Sequence, residues 1–164
     1  MRYVMMPSPI GTLTLVGDGT ALKQIRFGRG AETLPADWVR DDDSLREARR
    51  QLDEYFHGER TEFDLALAPE GTAFQKRVWK ALQDIPYGVS ACYQEIAFAI
   101  GTPTGARAVG LANSRNPIPI IVPCHRIIGK SGSLVGYAGG LDIKRFLLAH
   151  EGIEVGPRTL AFVG

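Results

Sequence analysis

Cys124, His125 and Arg126 stand side by side at the end of the run Asn116-Pro117-Ile118-Pro119-Ile120-Ile121-Val122-Pro123. A thiol is a nucleophile only as its thiolate, so a cysteine that does chemistry needs a group to take its proton. His125 can serve. Adjacent residues do not face each other on a helical turn, however, so a water between thiol and imidazole is expected rather than a direct bond. The imidazole then needs a partner to hold its tautomer and stabilise its charge, as in a Cys-His-acid relay. Glu151, at the end of a segment poor in acids, is the best candidate. Pro117, Pro119 and Pro123 fix φ and remove amide donors, which predicts an extended, stiff and buried approach to the thiol. The competing reading is an inert core cysteine, the more common state of a lone thiol, and the adjacent His and Arg weigh against it.

The elements that must position these residues fall into two lobes, with a hinge at Pro69-Glu70-Gly71. In the first, residues 3–27 read as a hairpin: Thr12 to Val16 alternates, Gly17-Asp18-Gly19 turns, and Leu22 to Phe27 returns. Residues 28–43 read as a loop. Ser44 with Glu47 predicts a capping box, opening a helix whose stripe is Leu45, Ala48, Leu52, Tyr55 and Phe56, ended by Gly58. Phe63, Leu65 and Leu67 alternate as a further strand. This lobe carries no evident chemistry. In the second, Thr72 with Gln75 caps a helix with Phe74, Val78, Leu82 and Ile85 on one face and Trp79 beside them, stopped at Ile85-Pro86-Tyr87-Gly88. Tyr93 to Ile100, the break Gly101-Thr102-Pro103, and Thr104 to Ser114 predict a helix-turn-helix. Its second helix is rich in Ala and Gly, with Arg107 its only charge, so its backbone can come close to another helix or to a nucleic-acid groove. Leu141 to His150 is a final helix with Leu147 and Leu148 inward.

Composition excludes several classes. No run approaches the length of a membrane span, and the N-terminus lacks the layout of a signal peptide. Cys92 and Cys124 form no disulfide framework and suggest a reducing, cytoplasmic setting. His57, His125 and His150, without a C-x-x-C pattern, offer no zinc site. Charge is divided between the lobes: residues 1–70 hold 9 Lys/Arg against 13 Asp/Glu, and residues 71–164 hold 10 against 5. The second lobe is the better candidate for an anionic partner, a solvated basic face being the alternative.

Asn116 to Arg126, with Pro-Cys-His-Arg at its centre, resembles the active-site signature of the O6-alkylguanine-DNA alkyltransferases, the methylated-DNA–protein-cysteine methyltransferases. The likeness continues in family order through Phe74…Val78-Trp79…Leu82…Ile85-Pro86-Tyr87-Gly88, Tyr93-Gln94-Glu95-Ile96-Ala97, Ala106-Arg107-Ala108-Val109-Gly110, Gly136-Tyr137-Ala138-Gly139-Gly140-Leu141 and Leu147-Leu148-Ala149-His150-Glu151. It is highly specific over 72–152 and weaker in Ser8-Pro9-Ile10-Gly11 and Tyr55-Phe56-His57-Gly58. The fold class that it implies is α/β: a small ribonuclease-H-like first lobe over 1–70 with a structural role, then a mostly helical DNA-binding and alkyl-acceptor lobe over 71–164.

The resemblance also implies roles. Cys124 would accept the alkyl group, with His125 and Glu151 activating it through water and Asn116 bracing the turn. Tyr93 would help turn the nucleotide out and protonate the departing guanine. Arg107 would fill the gap in the duplex, with Ala106, Ala108, Gly110 and Arg115 on the DNA-binding surface. Tyr137 and Pro119 would wall the base pocket, and backbone groups of Ile127 and Ala138 would read the guanine. A duplex hides the O6 atom, so the base must flip to meet a thiol.

The implied function is irreversible, single-turnover transfer from O6-alkylguanine, and less so O4-alkylthymine, with no cofactor or metal. Damaged duplex DNA is the implied partner, and the protein is expected to be a monomer when free. Two departures from the family pattern stand out. Cys92 replaces a small hydroxyl residue as helix cap, and Asn113-Ser114 is expected to bear on DNA contacts. Two other classes compete. A non-enzymatic damage-binding relative would lack the acceptor cysteine that is present here. An unrelated Cys-His hydrolase would need an oxyanion hole and would leave the helix-turn-helix unexplained.

Overall fold

The computed structural model describes residues 1–28, 34–129, 132, 134–137 and 139–155. The chain divides into two compact units, Met1–Glu70 and Gly71–Gly164.

The first unit holds a four-stranded sheet ordered β3-β2-β1-β4. β1 is Arg2–Met6, β2 Leu13–Gly17, β3 Leu22–Phe27 and β4 Val39–Arg40. β2 and β3 form the expected hairpin, with Leu13 opposite Phe27 and Leu15 opposite Ile25. β1 adds to it antiparallel, and β4 joins β1 in parallel. β2 is buried along its whole length, Thr14 included, so its polar-apolar alternation marks a central strand covered on both faces rather than a half-solvated one.

Helix α1, Arg46–Phe56, buries Ala48, Gln51, Leu52 and Tyr55. Two expectations fail here for local reasons. Ser44 does not cap α1, whose N-cap is Leu45 with no side-chain bond. The Asp41 carboxylate takes the Ser44 N–H at 3.2 Å, and Glu47 is held by Arg50 and by Gln51. The strand expected over Phe63, Leu65 and Leu67 is a single parallel bridge, Leu22 to Leu67. The buried Gln51 side chain donates to the Asp64 carbonyl at 3.0 Å and accepts from its N–H at 2.9 Å. Those are the backbone groups that a ladder would have used.

In the second unit, α2 (Ala73–Gln83) opens on the predicted capping box. Gln75 N–H reaches Thr72 Oγ1 at 3.1 Å, and Thr72 N–H reaches Gln75 Oε1 at 2.9 Å. Gly71 precedes it because a Cβ there would lie 2.5 Å from the Trp79 ring. Val78, Trp79 and Leu82 are buried, and the Trp79 indole N–H is satisfied by the Ala112 carbonyl at 2.9 Å, which ties α2 to α4. Helix α3 is Tyr93–Ala99 and α4 is Ala106–Ser114. Gly101, at φ +76°, provides the turn between them. Helix α5, Leu141–His150, buries Lys144, Leu147 and Leu148. Ile128, Leu148 and Ile153 pack together behind it.

Candidate active site

The prolines do not hold the approach to Cys124 extended. Residues 117–122 fold into a compact turn, closed by Val122 N–H on the Ile118 carbonyl at 2.9 Å and Cys124 N–H on the Val122 carbonyl at 2.8 Å. Asn116 clamps it, accepting the Ile118 N–H at 3.0 Å and donating to the Val122 carbonyl at 2.8 Å. Within the clamp Ile120 sits at φ +76°, a left-handed conformation rare for a β-branched residue. Its side chain is wholly buried, so packing and the Asn116 bonds together hold the strained backbone. Stiffness comes from this hydrogen-bonded turn rather than from an extended chain.

Cys124–Arg126 then forms one 3₁₀ turn. His125 is buried in the interior, where its Nε2 lies 2.7 Å from Glu151 Oε2. Arg126 donates its Nε to Glu151 Oε1 at 2.7 Å and a terminal nitrogen to Oε2 at 3.1 Å. Its other arm meets the Ile85 carbonyl at 2.5 Å, and its guanidinium lies 5.8 Å from the Tyr87 ring centroid. Since the carboxylate only accepts, His125 Nε2 must carry the proton and Nδ1 the lone pair. That Nδ1 is buried with no protein partner among the described residues. Burial holds the His125 pKa below its usual 6.5, outweighing the pull of Glu151, so the resting imidazole is neutral and able to act as a base.

The thiol itself is buried, and burial raises its pKa above the ordinary value. Hydrogen bonds from the Asn116 and Tyr137 side chains and the charge of Lys144 act in the opposite direction. Lys144 carries no signal in the spacing of motifs; its position four residues after Gly140, opening α5, predicts only an exposed helical residue. It is instead completely buried. Its Nζ donates to the carbonyls of Ile127 and, at 3.3 Å, Val135, and burial lowers its pKa to about 8.

Tyr93 is brought to the same place by backbone pairing. Ala91 N–H bonds the Arg126 carbonyl and Ile128 N–H bonds the Ala91 carbonyl, both at 2.9 Å. The start of α3 is thereby locked beside the Cys124 turn. Cys92 is the N-cap of α3, and its N–H is taken by the Glu95 carboxylate at 3.0 Å. The helix start is thus held from N3, whatever the weakness of sulfur as a cap.

Of the residues expected at DNA, Arg107, Ala108 and Arg115 are exposed and Ala106 is half-buried. Neither arginine has an ion-pair partner among the described residues. Gly110 instead faces inward: a Cβ there would lie 3.4 Å from the Tyr93 ring. Asn113, expected to bear on DNA contacts, is 4% exposed. Two of the basic residues counted toward a charged face, Arg126 and Lys144, are likewise buried. Pro119 and Ile127 are buried, and both backbone groups of Ile127 are engaged, its N–H with the Cys124 carbonyl at 3.3 Å and its carbonyl with Lys144. Ala138 lies outside the described residues. No group of three or more His, Cys, Asp or Glu gathers among the described residues as a metal site, and no described helix is long and apolar enough to cross a membrane.

Comparison with known proteins agrees with this layout. Residues 1–69 match the family model of the 6-O-methylguanine DNA methyltransferase ribonuclease-like domain, and residues 73–153 match that of the DNA binding domain of the same family. The methylated-DNA–protein-cysteine methyltransferase of Methanosarcina acetivorans is 56% identical over 93% of this chain and 99% of its own. That of Mycobacterium tuberculosis is 53% identical over 92% of each. A crystal structure of Mycobacterium tuberculosis OGT in complex with DNA superposes with a TM-score of 0.85 at 53% identity, over 92% of both chains. Matched across both of its units and along nearly its whole length, the chain belongs to the 6-O-methylguanine DNA methyltransferase family.

Proposed function

We propose that this protein repairs DNA by moving the alkyl group of O6-alkylguanine onto its own Cys124, once per molecule. The observation that carries the reading is the Cys124–His125–Glu151 arrangement, with Nε2 of the imidazole spoken for at 2.7 Å and Nδ1 left to act as base. His125 Nδ1 takes the thiol proton through a bridging water. Glu151 and Arg126 stabilise the imidazolium that results. The Cys124 thiolate, aided by Asn116, Tyr137 and Lys144, attacks the alkyl carbon. The new S–C bond forms as the O6–C bond breaks, and the electron pair stays on the guanine, which takes a proton from Tyr93. Sulfur supplies the electrons and the base is the leaving group, so the step calls for no cofactor or metal. The product is a thioether, and the proposed relay has no means of cleaving it, which makes the transfer irreversible.

The exposed arginines and the Ala-rich face of α4 support docking on duplex DNA, with Arg107 entering the stack while the base turns out. Tyr137 and Pro119 wall the pocket that receives it. O4-alkylthymine is a lesser substrate within this reading. The first unit has a structural role, the free protein is a monomer, and two free thiols suit the reducing cytoplasm.

The test is intact-protein mass after incubation with a duplex containing O6-methylguanine. One methyl in place of the thiol hydrogen, about 14 Da, is expected on Cys124 and nowhere else. Damage binding without mass gain would leave a sensor rather than an enzyme. Several methyl groups removed per molecule would rule out the single-use mechanism.

A further inference from the structure

Asn113 is a buried amide on the face of α4 otherwise built from Val109 and Ala112. A polar group at such a place needs a partner. The Tyr93 ring lies one turn earlier on that face, over Gly110, where a Cβ would stand 3.4 Å from ring Cε2 and 3.5 Å from Cζ, the carbon that bears the hydroxyl. The phenol and the amide are thus brought to the same face of α4, one turn apart. The Asn113 side chain lies near enough to the phenol to lower its pKa, and its Oδ1 has no partner among the described residues, so the amide can turn its Nδ2 donor toward the phenol oxygen.

We propose that Asn113 is a positioning residue for Tyr93, aiming the phenol at the flipped base and donating to its oxygen as that oxygen loses its proton. The inference rests on Tyr93 being the proton donor to the departing guanine. In that step the Tyr93 O–H bond breaks, the proton goes to the guanine, and the negative charge is left on the phenolate. Burial and the nearby Cys124 both push the Tyr93 pKa up, and the Asn113 amide pulls it down. Asn113 therefore favours the phenolate at the moment it forms, when hydrogen bonds to charged oxygen are strongest. Before transfer, a half-turn of the same amide offers Oδ1 to the phenol O–H, something neither Asp nor an apolar residue can alternate with donation.

Tyr93→Phe, Asn113→Leu and the double variant separate the possibilities. Asn113→Leu is expected to slow transfer from methylated duplex roughly 10- to 100-fold, the scale of one hydrogen bond to a charged group. On the Tyr93→Phe background it should add nothing, because the hydroxyl through which it acts is gone. Alkylation of Cys124 by iodoacetamide, whose iodide leaves without a proton, should keep its rate in Asn113→Leu, which separates loss of positioning from loss of fold. In ¹³Cζ-tyrosine spectra the Tyr93 titration should move to higher pH in Asn113→Leu. Losses that multiply in the double variant, or an unmoved Tyr93 titration, would overturn the role of Asn113. A Tyr93→Phe protein that transfers at the normal rate would overturn it too, by removing Tyr93 as donor, while mass gain on Cys124 in the unaltered protein would still uphold alkyl transfer.

Discussion

His125 Nε2 and Glu151 Oε2 meet at 2.7 Å where neither side chain is exposed, and Arg126 Nε closes on the other oxygen of that carboxylate at 2.7 Å. One carboxylate thus orients the imidazole and answers a buried guanidinium. Removing one side of a buried pair leaves an uncompensated charge, at a cost of about 3–5 kcal/mol. Glu151→Gln should lower the unfolding free energy by that order, a large part of the roughly 5–15 kcal/mol typical of a domain, and should slow transfer. Adding Arg126→Met removes the stranded charge and should restore part of the stability without restoring transfer. Urea unfolding and single-turnover kinetics measure the two effects; a Glu151→Gln protein as stable as the parent would contradict the pairing.

The pH dependence of transfer follows from burial. With Cys124 pushed up and His125 pushed down, the resting pair is a thiol beside a neutral base. Transfer should hold steady as pH falls to the ordinary imidazole value of 6.5 and decline only below it, when the buried ring at last takes a proton. Stability moves with it. Folded His125 binds its proton less tightly than unfolded His125, so its contribution is complete above 6.5 and is lost as pH falls from there through the lower folded value. In His125→Asn the base is gone. The remaining rate should then climb about tenfold per pH unit toward the raised thiol pKa. A decline beginning above 6.5 would show that the ring is not depressed.

Lys144 gives a separate handle on the thiol. Its charge favours the Cys124 thiolate, so Lys144→Met should raise the thiol pKa and slow both iodoacetamide alkylation and transfer on the order of tenfold, the equivalent of about one pKa unit. Lys144→Arg keeps the charge but not the fit to the Ile127 and Val135 carbonyls, and should fall between. The burial of Lys144 also has a stability signature. Its folded pKa of about 8 lies below the ordinary 10.5, so burying the charge costs most below pH 8 and the cost is relieved between those values. Lys144→Met should flatten that rise. An unchanged thiol titration in Lys144→Met would remove its assigned effect.

Arg107 is exposed on α4, away from the buried relay. Arg107→Ala should weaken transfer from duplex DNA by about tenfold or more, the loss expected for one good duplex contact, while reaction with free O6-benzylguanine stays near the parent rate. Single-turnover assays on the two substrates decide it, and equal losses on both would contradict a role in the duplex.

By itself the sequence determined the two units, the hairpin, the capped α2, the helix-turn-helix and the candidates for nucleophile and base. These are local: capping boxes, turn glycines and periodic stripes act within a few residues, and Pro-Cys-His-Arg is contiguous. Tertiary structure decided which polar groups meet. Glu151 reaches His125 only because α5 folds back on the 3₁₀ turn, and a separation of 26 positions fixes no distance on its own. Gln51 took the backbone groups of Asp64 and so dissolved an expected strand. The prolines before Cys124 restrict each φ singly, but Asn116 and the packing of Ile120 bent the path into a turn. Charge was legible as a count but not as a surface: Arg126 and Lys144 add to the basic total and are buried where carboxylate and carbonyl oxygens receive them. Gly110 read as a surface for DNA until α3 placed Tyr93 against it, and Asn113 until α4 turned it inward. Periodicity reports which face of an element is apolar; only the assembled fold reports what that face touches, because the partners come from parts of the chain with no local reason to be near.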